Sequence, residues 1–182
     1  PGRIPAGHVI ATPVHGCDWL PTLFSLTQTD APAGAKPFDG QNIMPLLMGQ
    51  PAPALAGRTL LFQRNRYAPV AHCNAAIRQG RWKLYWPGDD SSLKKDSARD
   101  NPSYQRGITH PHWEMPLDSQ LHAPTSAPQP APRLYDLDAD PAEQKNLASE
   151  HPEIVRALAQ KHDAWFAVII PEWRQSDRKS TR

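Results

Sequence analysis

The sequence predicts an α+β chain in which a small one-sided antiparallel sheet is covered by a long C-terminal helix. Three observations carry that expectation. The first is a hairpin: residues 71–78 and 81–86 alternate apolar and polar side chains around Gln79-Gly80, a two-residue loop of the kind that favours glycine. Pairing across that loop sets Ile77 opposite Trp82, Ala75 opposite Leu84 and Cys73 opposite Trp86, all apolar and on one face. The other face then carries His72, Asn74, Ala76, Arg78, Arg81, Lys83 and Tyr85, the separation that a sheet with one buried face requires. The second observation is the helical spacing of Ile154, Val155, Leu158, Ala159, His162, Trp165 and Phe166. The third is strand character at 60–66 and 133–137, which brings the sheet to four strands.

Taken in order, Pro1-Gly-Arg-Ile-Pro-Ala-Gly7 is turn chemistry, and residues 8–12, short and β-branched, read as a strand. Asp18 is a suitable helix N-cap. Pro21 is tolerated in the first turn, and Trp19, Leu20, Leu23, Phe24 and Leu26 form a wide apolar stripe. The Pro/Ala/Gly run at 31–37 ends that helix, Asp39-Gly40 is a turn, and 43–48 reads as a short amphipathic helix stopped by Gly49 and Pro51. Between the hairpin and 133–137 lies a long loop, 87–132, rich in Pro, Asp, Ser and His. Connections of that length inside a domain are usually functional or disordered, and Tyr104 with the compact His110-Pro-His-Trp-Glu-Met-Pro116 argues for partial order. A turn at 138–141 leads to the last helix, with Ser149 as N-cap and Pro152 in the first turn; residues 171–182 form a polar tail.

Composition narrows the class. The chain has 182 residues, enough for one domain or one plus part of another. It starts at Pro1, so no initiator or signal peptide is visible and the compartment is not read from its start. Its apolar runs are far shorter than the ~20 residues of a membrane span. Proline is abundant at 21 residues, but with 10 glycines the pair stays below the level of a low-complexity chain, and six tryptophans need a core or a binding surface. Net charge is only +2, unevenly spread. Residues 1–88 hold eight basic and three acidic side chains, whereas 89–182 hold twelve and fifteen. No acid occurs from 40 to 88, a stretch containing Arg58, Arg64, Arg66, Arg78, Arg81 and Lys83, so an anion would be attracted there first; a solvated cationic face is the plain reading. Cys17 and Cys73 fit no metal or redox spacing.

Five landmarks stand in a fixed order: residues 1–7; Asp18-Trp-Leu-Pro-Thr-Leu23; Phe38-Asp-Gly-Gln-Asn-Ile43 with Pro45-Leu-Leu47; Ala76-Ile-Arg-Gln-Gly-Arg-Trp-Lys-Leu84; and Leu134-Tyr-Asp-Leu-Asp-Ala-Asp-Pro-Ala-Glu143 with Asn146-Leu147. Each is common; their order resembles the C-terminal third of the type I, arylsulfatase-like sulfatases of the alkaline-phosphatase-like superfamily. The resemblance implies an α/β parent enzyme. Residues 1–50 would be the end of its large catalytic domain, and 58–170 a C-terminal subdomain with four antiparallel strands against one long helix. It also implies a hydrolase of aryl or carbohydrate sulfate esters, with a formylglycine made from a Cys/Ser-x-Pro-x-Arg motif and a calcium ion held by Asp and Asn. That motif is absent here. Cys17-Asp-Trp-Leu-Pro21 has its proline two positions late, and Ser126-Ala-Pro128-Gln-Pro130 has proline in place of arginine. No catalytic or metal residue is therefore assigned to this chain. It is expected to be inert by itself, to need the missing N-terminal catalytic domain as partner, and to contribute packing and substrate selection. Bacterial sulfatases are often periplasmic or secreted.

The candidate substrate contacts are Arg64, Arg66, His72, His110, His112 and Trp113. Arg64 and Arg66 share a strand face, and guanidinium groups bind sulfate oxygens bidentately; surface salt bridging is the plain alternative. His72 on the polar face offers a hydrogen bond to a sugar or sulfate oxygen, or is simply structural. His110 and His112 lack the further ligands that a closed zinc site needs, so with Trp113 they read as a pocket wall or a loop anchor. Two other readings stand beside the sulfatase: a phosphodiesterase or phosphonate hydrolase of the same superfamily, and a stand-alone module binding an anionic glycan. No nucleic-acid motif is present.

Overall fold

The computed structural model describes residues 4–64, 71–88 and 130–179, with side chains up to residue 172. The chain separates into two units, Pro1–Leu60 and Leu61–Arg182.

In the first unit a 3-10 turn, Gly16–Asp18, runs into α1 (Trp19–Thr27), and α2 (Met44–Leu47) and a second 3-10 turn, Pro53–Leu55, follow. Helix α1 starts where the sequence predicts, but Asp18 makes no side-chain cap bond to it. Its carboxylate is buried instead. Arg58 Nη1 donates to Oδ1 at 2.8 Å and Nη2 donates to Oδ2, while the Gln41 N–H donates to Oδ1 at 2.9 Å and the His15 N–H to Oδ2 at 2.6 Å. Burial by itself raises an acid's pKa, yet the guanidinium and the two backbone donors prevail and hold Asp18 at about 2. Thr22 extends the network, donating to the Asp18 carbonyl at 2.6 Å and accepting from the Ile43 N–H at 3.0 Å. Gly40 is required by contact: a Cβ there would lie 2.1 Å from the Cys17 carbonyl oxygen. The strand expected at 8–12 is not formed; among the described residues no strand pairs with this stretch, and an unpaired strand leaves its N–H and C=O groups without partners.

The second unit holds the sheet apart from the first two residues of its first strand. Strands β1 (Thr59–Gln63), β2 (Ala75–Gln79), β3 (Trp82–Trp86) and β4 (Arg133–Asp136) lie in the order β1-β2-β3-β4, and the β2/β3 and β3/β4 pairs are antiparallel. The hairpin loop is Gly80-Arg81 rather than Gln79-Gly80, so Ile77 faces Leu84 and Ala75 faces Trp86. Gly80 takes a left-handed φ of 56°, which places the glycine as the first residue of the turn. The loop slips by one residue, and each pairing partner therefore moves by two. The side chain's face repeats every two residues, so the apolar face survives the correction. It carries the core of Ala75, Ile77, Leu84, Trp86 and Leu134, closed by Leu158 of α3 (Pro152–Lys179), with Trp82, Ile154, Val155 and Ala159 packed around them. Helix α3 begins at Pro152, and the His151 carbonyl accepts the first turn's bonds from Ile154 and Val155. Ser149 sits in the preceding turn and is not the cap. No described helix is long and apolar enough to cross a membrane.

The segment between β4 and α3 is fastened by side chains. Asn146 Oδ1 accepts from the Leu134 and Ala148 N–H groups, both at 3.0 Å, Asp140 accepts from the Lys145 N–H at 2.8 Å, and the Leu147 N–H donates to the Leu134 carbonyl at 2.8 Å. The Leu134–Leu147 landmark is thus a structural closure from strand to helix.

Candidate functional site

The two faces of the sheet offer different chemistry. On the face away from α3, a groove of about 380 Å³ is lined by Phe62, Asn74, Arg78, Lys83, Tyr85 and Glu143. Lys83 Nζ donates to both Glu143 oxygens, at 2.6 and 2.8 Å, and Arg78 Nε donates to the Gly80 carbonyl at 3.2 Å. Arg81 engages Asp136 through Nε at 2.7 Å and through Nη2, and that guanidinium holds the Asp136 carboxyl below the usual carboxylate range. Arg58, Arg81 and Lys83 thus hold carboxylates far away in sequence. The surplus of acids after residue 88 in part neutralises the surplus of cations before it, which weakens the pull of this stretch on a free anion.

On the helix side, His72 precedes β2 instead of lying within it, and its backbone is left-handed, with φ 56°. This corrects the expectation that it joins the polar sheet face. Its ring stacks on Trp86 at 4.7 Å, and Nε2 meets Asp163 Oδ1 at 2.7 Å. His162, one position earlier on α3, is fully buried among His72, Trp86, Trp165 and Phe166, with ring centroids 4.7 to 5.9 Å away. Neither of its ring nitrogens has a hydrogen-bond partner. Burial lowers its pKa, neighbouring His72 adds to this, and Asp163 only partly opposes it. The helical spacing placed His162 in the core stripe; that it and its neighbour Asp163 meet His72 had no local signal, because His72 and Asp163 are 91 positions apart.

Of the other candidate residues, Arg64 is exposed, lies one residue beyond β1, and donates its backbone N–H to the Asn74 carbonyl at 3.0 Å. Arg66, His110, His112 and Trp113 lie outside the described residues. Calcium favours several oxygen ligands. The described residues do not fit it: both Asp18 oxygens are engaged by Arg58 and backbone donors, and the group of three or more metal-ligating side chains that is found, His72, His162 and Asp163, is mostly imidazole.

Fold and sites together define an α+β chain whose antiparallel sheet is covered on one face by a single long helix. By sequence it is homologous to the C-terminal portion of sulfatases. It is 28% identical over 144 residues to an N-acetylgalactosamine-6-O-sulfatase of Bacteroides thetaiotaomicron, a match covering 79% of this chain and 21% of that one. To human arylsulfatase A it is 32% identical over 168 residues, 88% of this chain and 28% of that one. The fold is shared with the crystal structure of Ps i-CgsB, with a TM-score of 0.55 and 17% identity over 91% of this chain and 27% of that one. No family model matches. The chain spans about a quarter of the length of the curated relatives it matches.

Proposed function

We propose that the chain is the C-terminal part of a sulfuric ester hydrolase and serves it by packing the subdomain and shaping substrate choice. The observation that carries this reading is collinear similarity to several sulfatases over 79–97% of the chain. The relatives' names favour sulfate over phosphate esters. A stand-alone anion-binding module is disfavoured, because Arg58, Arg81 and Lys83 already hold carboxylates. The nucleophile and the calcium belong to the preceding part of the parent, where formylglycine would supply the attacking oxygen; no step is assigned to residues of this chain.

The proposed division places 1–50 with the large domain and 58–170 in the subdomain. Half-exposed Trp19, Leu20, Leu23 and Leu26 on α1 fit a helix that meets further chain. Arg64 and Arg66, with the loop of His110, His112 and Trp113, are the residues offered to a sulfated small molecule or glycan. Two measurements test this. The isolated chain, given an aryl sulfate and calcium, is expected to show no turnover above background, and turnover would refute its dependence on the parent. In the full-length enzyme Arg64→Ala and Arg66→Ala are expected to raise KM with little change in kcat; an unchanged KM and selectivity would remove their substrate role.

A further inference from the structure

A buried polar group without a partner calls for an explanation, and His162 has two such atoms. Its ring is fully buried, so both nitrogens have left water without gaining a hydrogen bond, an unfavourable state for polar groups. The aromatic walls that bury it, Trp86, Trp165 and Phe166, supply no acceptor. What the surroundings do supply is a second imidazole and a carboxylate. The ligand atoms of His72, His162 and Asp163 all lie within 4.8 Å of one another. Asp163 Oδ1 is the hinge of the group, 2.7 Å from His72 Nε2 and 3.8 Å from His162 Nδ1.

We propose that His72, His162 and Asp163 form a binding site for a divalent transition metal of the zinc class, which clasps the loop ahead of β2 to helix α3. The donor set decides the class. Two imidazoles and one carboxylate suit Zn²⁺ and its neighbours, whereas Mg²⁺ and Ca²⁺ prefer oxygen donors. Tetrahedral bonds of about 2.1 Å separate ligand atoms by about 3.4 Å, so His72 and Asp163 part slightly and the two rings draw together when the ion enters. Burial is graded, with His162 inside, His72 half-buried and Asp163 exposed, so the ion has an entry path and a water can complete its coordination. The site lies within Leu61–Arg182 and does not depend on the sulfatase reading.

Titrating the metal-free 182-residue chain with Co²⁺ and then Zn²⁺, followed by visible absorption and calorimetry, tests it. The expected result is one equivalent of Co²⁺ with a spectrum of low-coordinate geometry, displaced by Zn²⁺. Asp163→Asn, an exposed substitution that spares folding, and His72→Gln are each expected to weaken binding by more than about tenfold. Zn²⁺ should raise the Tm of the wild type but not of these variants. His162→Phe, which keeps the volume of the ring, should abolish the cobalt spectrum. A double variant, His110→Ala with His112→Ala, should bind as the wild type does. Absence of stoichiometric binding, wild-type affinity in both Asp163→Asn and His72→Gln, or loss of binding in the double variant would each overturn the proposal.

Discussion

The two units of this chain differ in where they keep their ion pairs. In Pro1–Leu60 a buried charge shares the centre with apolar side chains: the Asp18 carboxylate, fully enclosed by Arg58 and backbone donors, lies buried along with Ile43, Met44 and Leu55, while the bulky apolar residues of α1, Trp19, Leu20, Leu23 and Leu26, remain half-exposed. In Leu61–Arg182 the centre is apolar but for the His162 ring, with Ile77, Leu84 and Leu134 fully buried, and the ion pairs Arg81–Asp136 and Lys83–Glu143 are partly open to water. An apolar core needs only volume and face to agree, so it tolerates approximate geometry. A buried ion pair needs every oxygen satisfied, so it fixes the positions of His15, Gln41 and Arg58 at once.

Deleting the key group in each unit should give the largest effect. Arg58→Ala leaves Asp18 buried without its cation and is expected to cost about 3–5 kcal/mol, against about 2–5 kcal/mol for Leu84→Ala in the sheet. Amide hydrogen exchange reads the two separately: the first should speed exchange around α1, the second across β2 and β3. Equal acceleration throughout under either substitution would break the contrast. Acid gives the next effect. Asp18 titrates at about 2 in the fold against roughly 3.9 in an unfolded chain, so its stabilising contribution is present above the unfolded value and is lost as pH falls through the folded one. The loss amounts to roughly 2–3 kcal/mol between about pH 5 and pH 2, and it should appear in the α1 amides and vanish in Asp18→Asn, which begins less stable. The smallest effect belongs to Lys145→Ala. The Lys145–Glu150 pair is exposed on both sides, and its loss should change stability by less than about 0.5 kcal/mol in denaturant melts.

Helix α3 was legible because its periodicity spans many turns, and the sheet's apolar face was legible because alternation does not depend on the loop. The exact turn was not, since Gln79-Gly80 and Gly80-Arg81 both put glycine in a two-residue loop and only pairing across the strands separates them. Ser149 looked like a cap because caps are recognised by residue type, yet Pro152 starts the helix and His151 precedes it. Asp18 looked like a cap for the same reason, whereas a cation 40 positions later turned its side chain inward.

By itself the sequence determined the α+β class, the hairpin's faces, the last helix and the resemblance to sulfatases, all of which rest on local periodicity or on the order of short landmarks. Tertiary structure decided which charges pair and which histidine matters. Asp18 with Arg58, Arg81 with Asp136, and His72 with His162 and Asp163 are contacts between segments far apart in the chain, and local patterns carry no information about which distant segment will supply the partner.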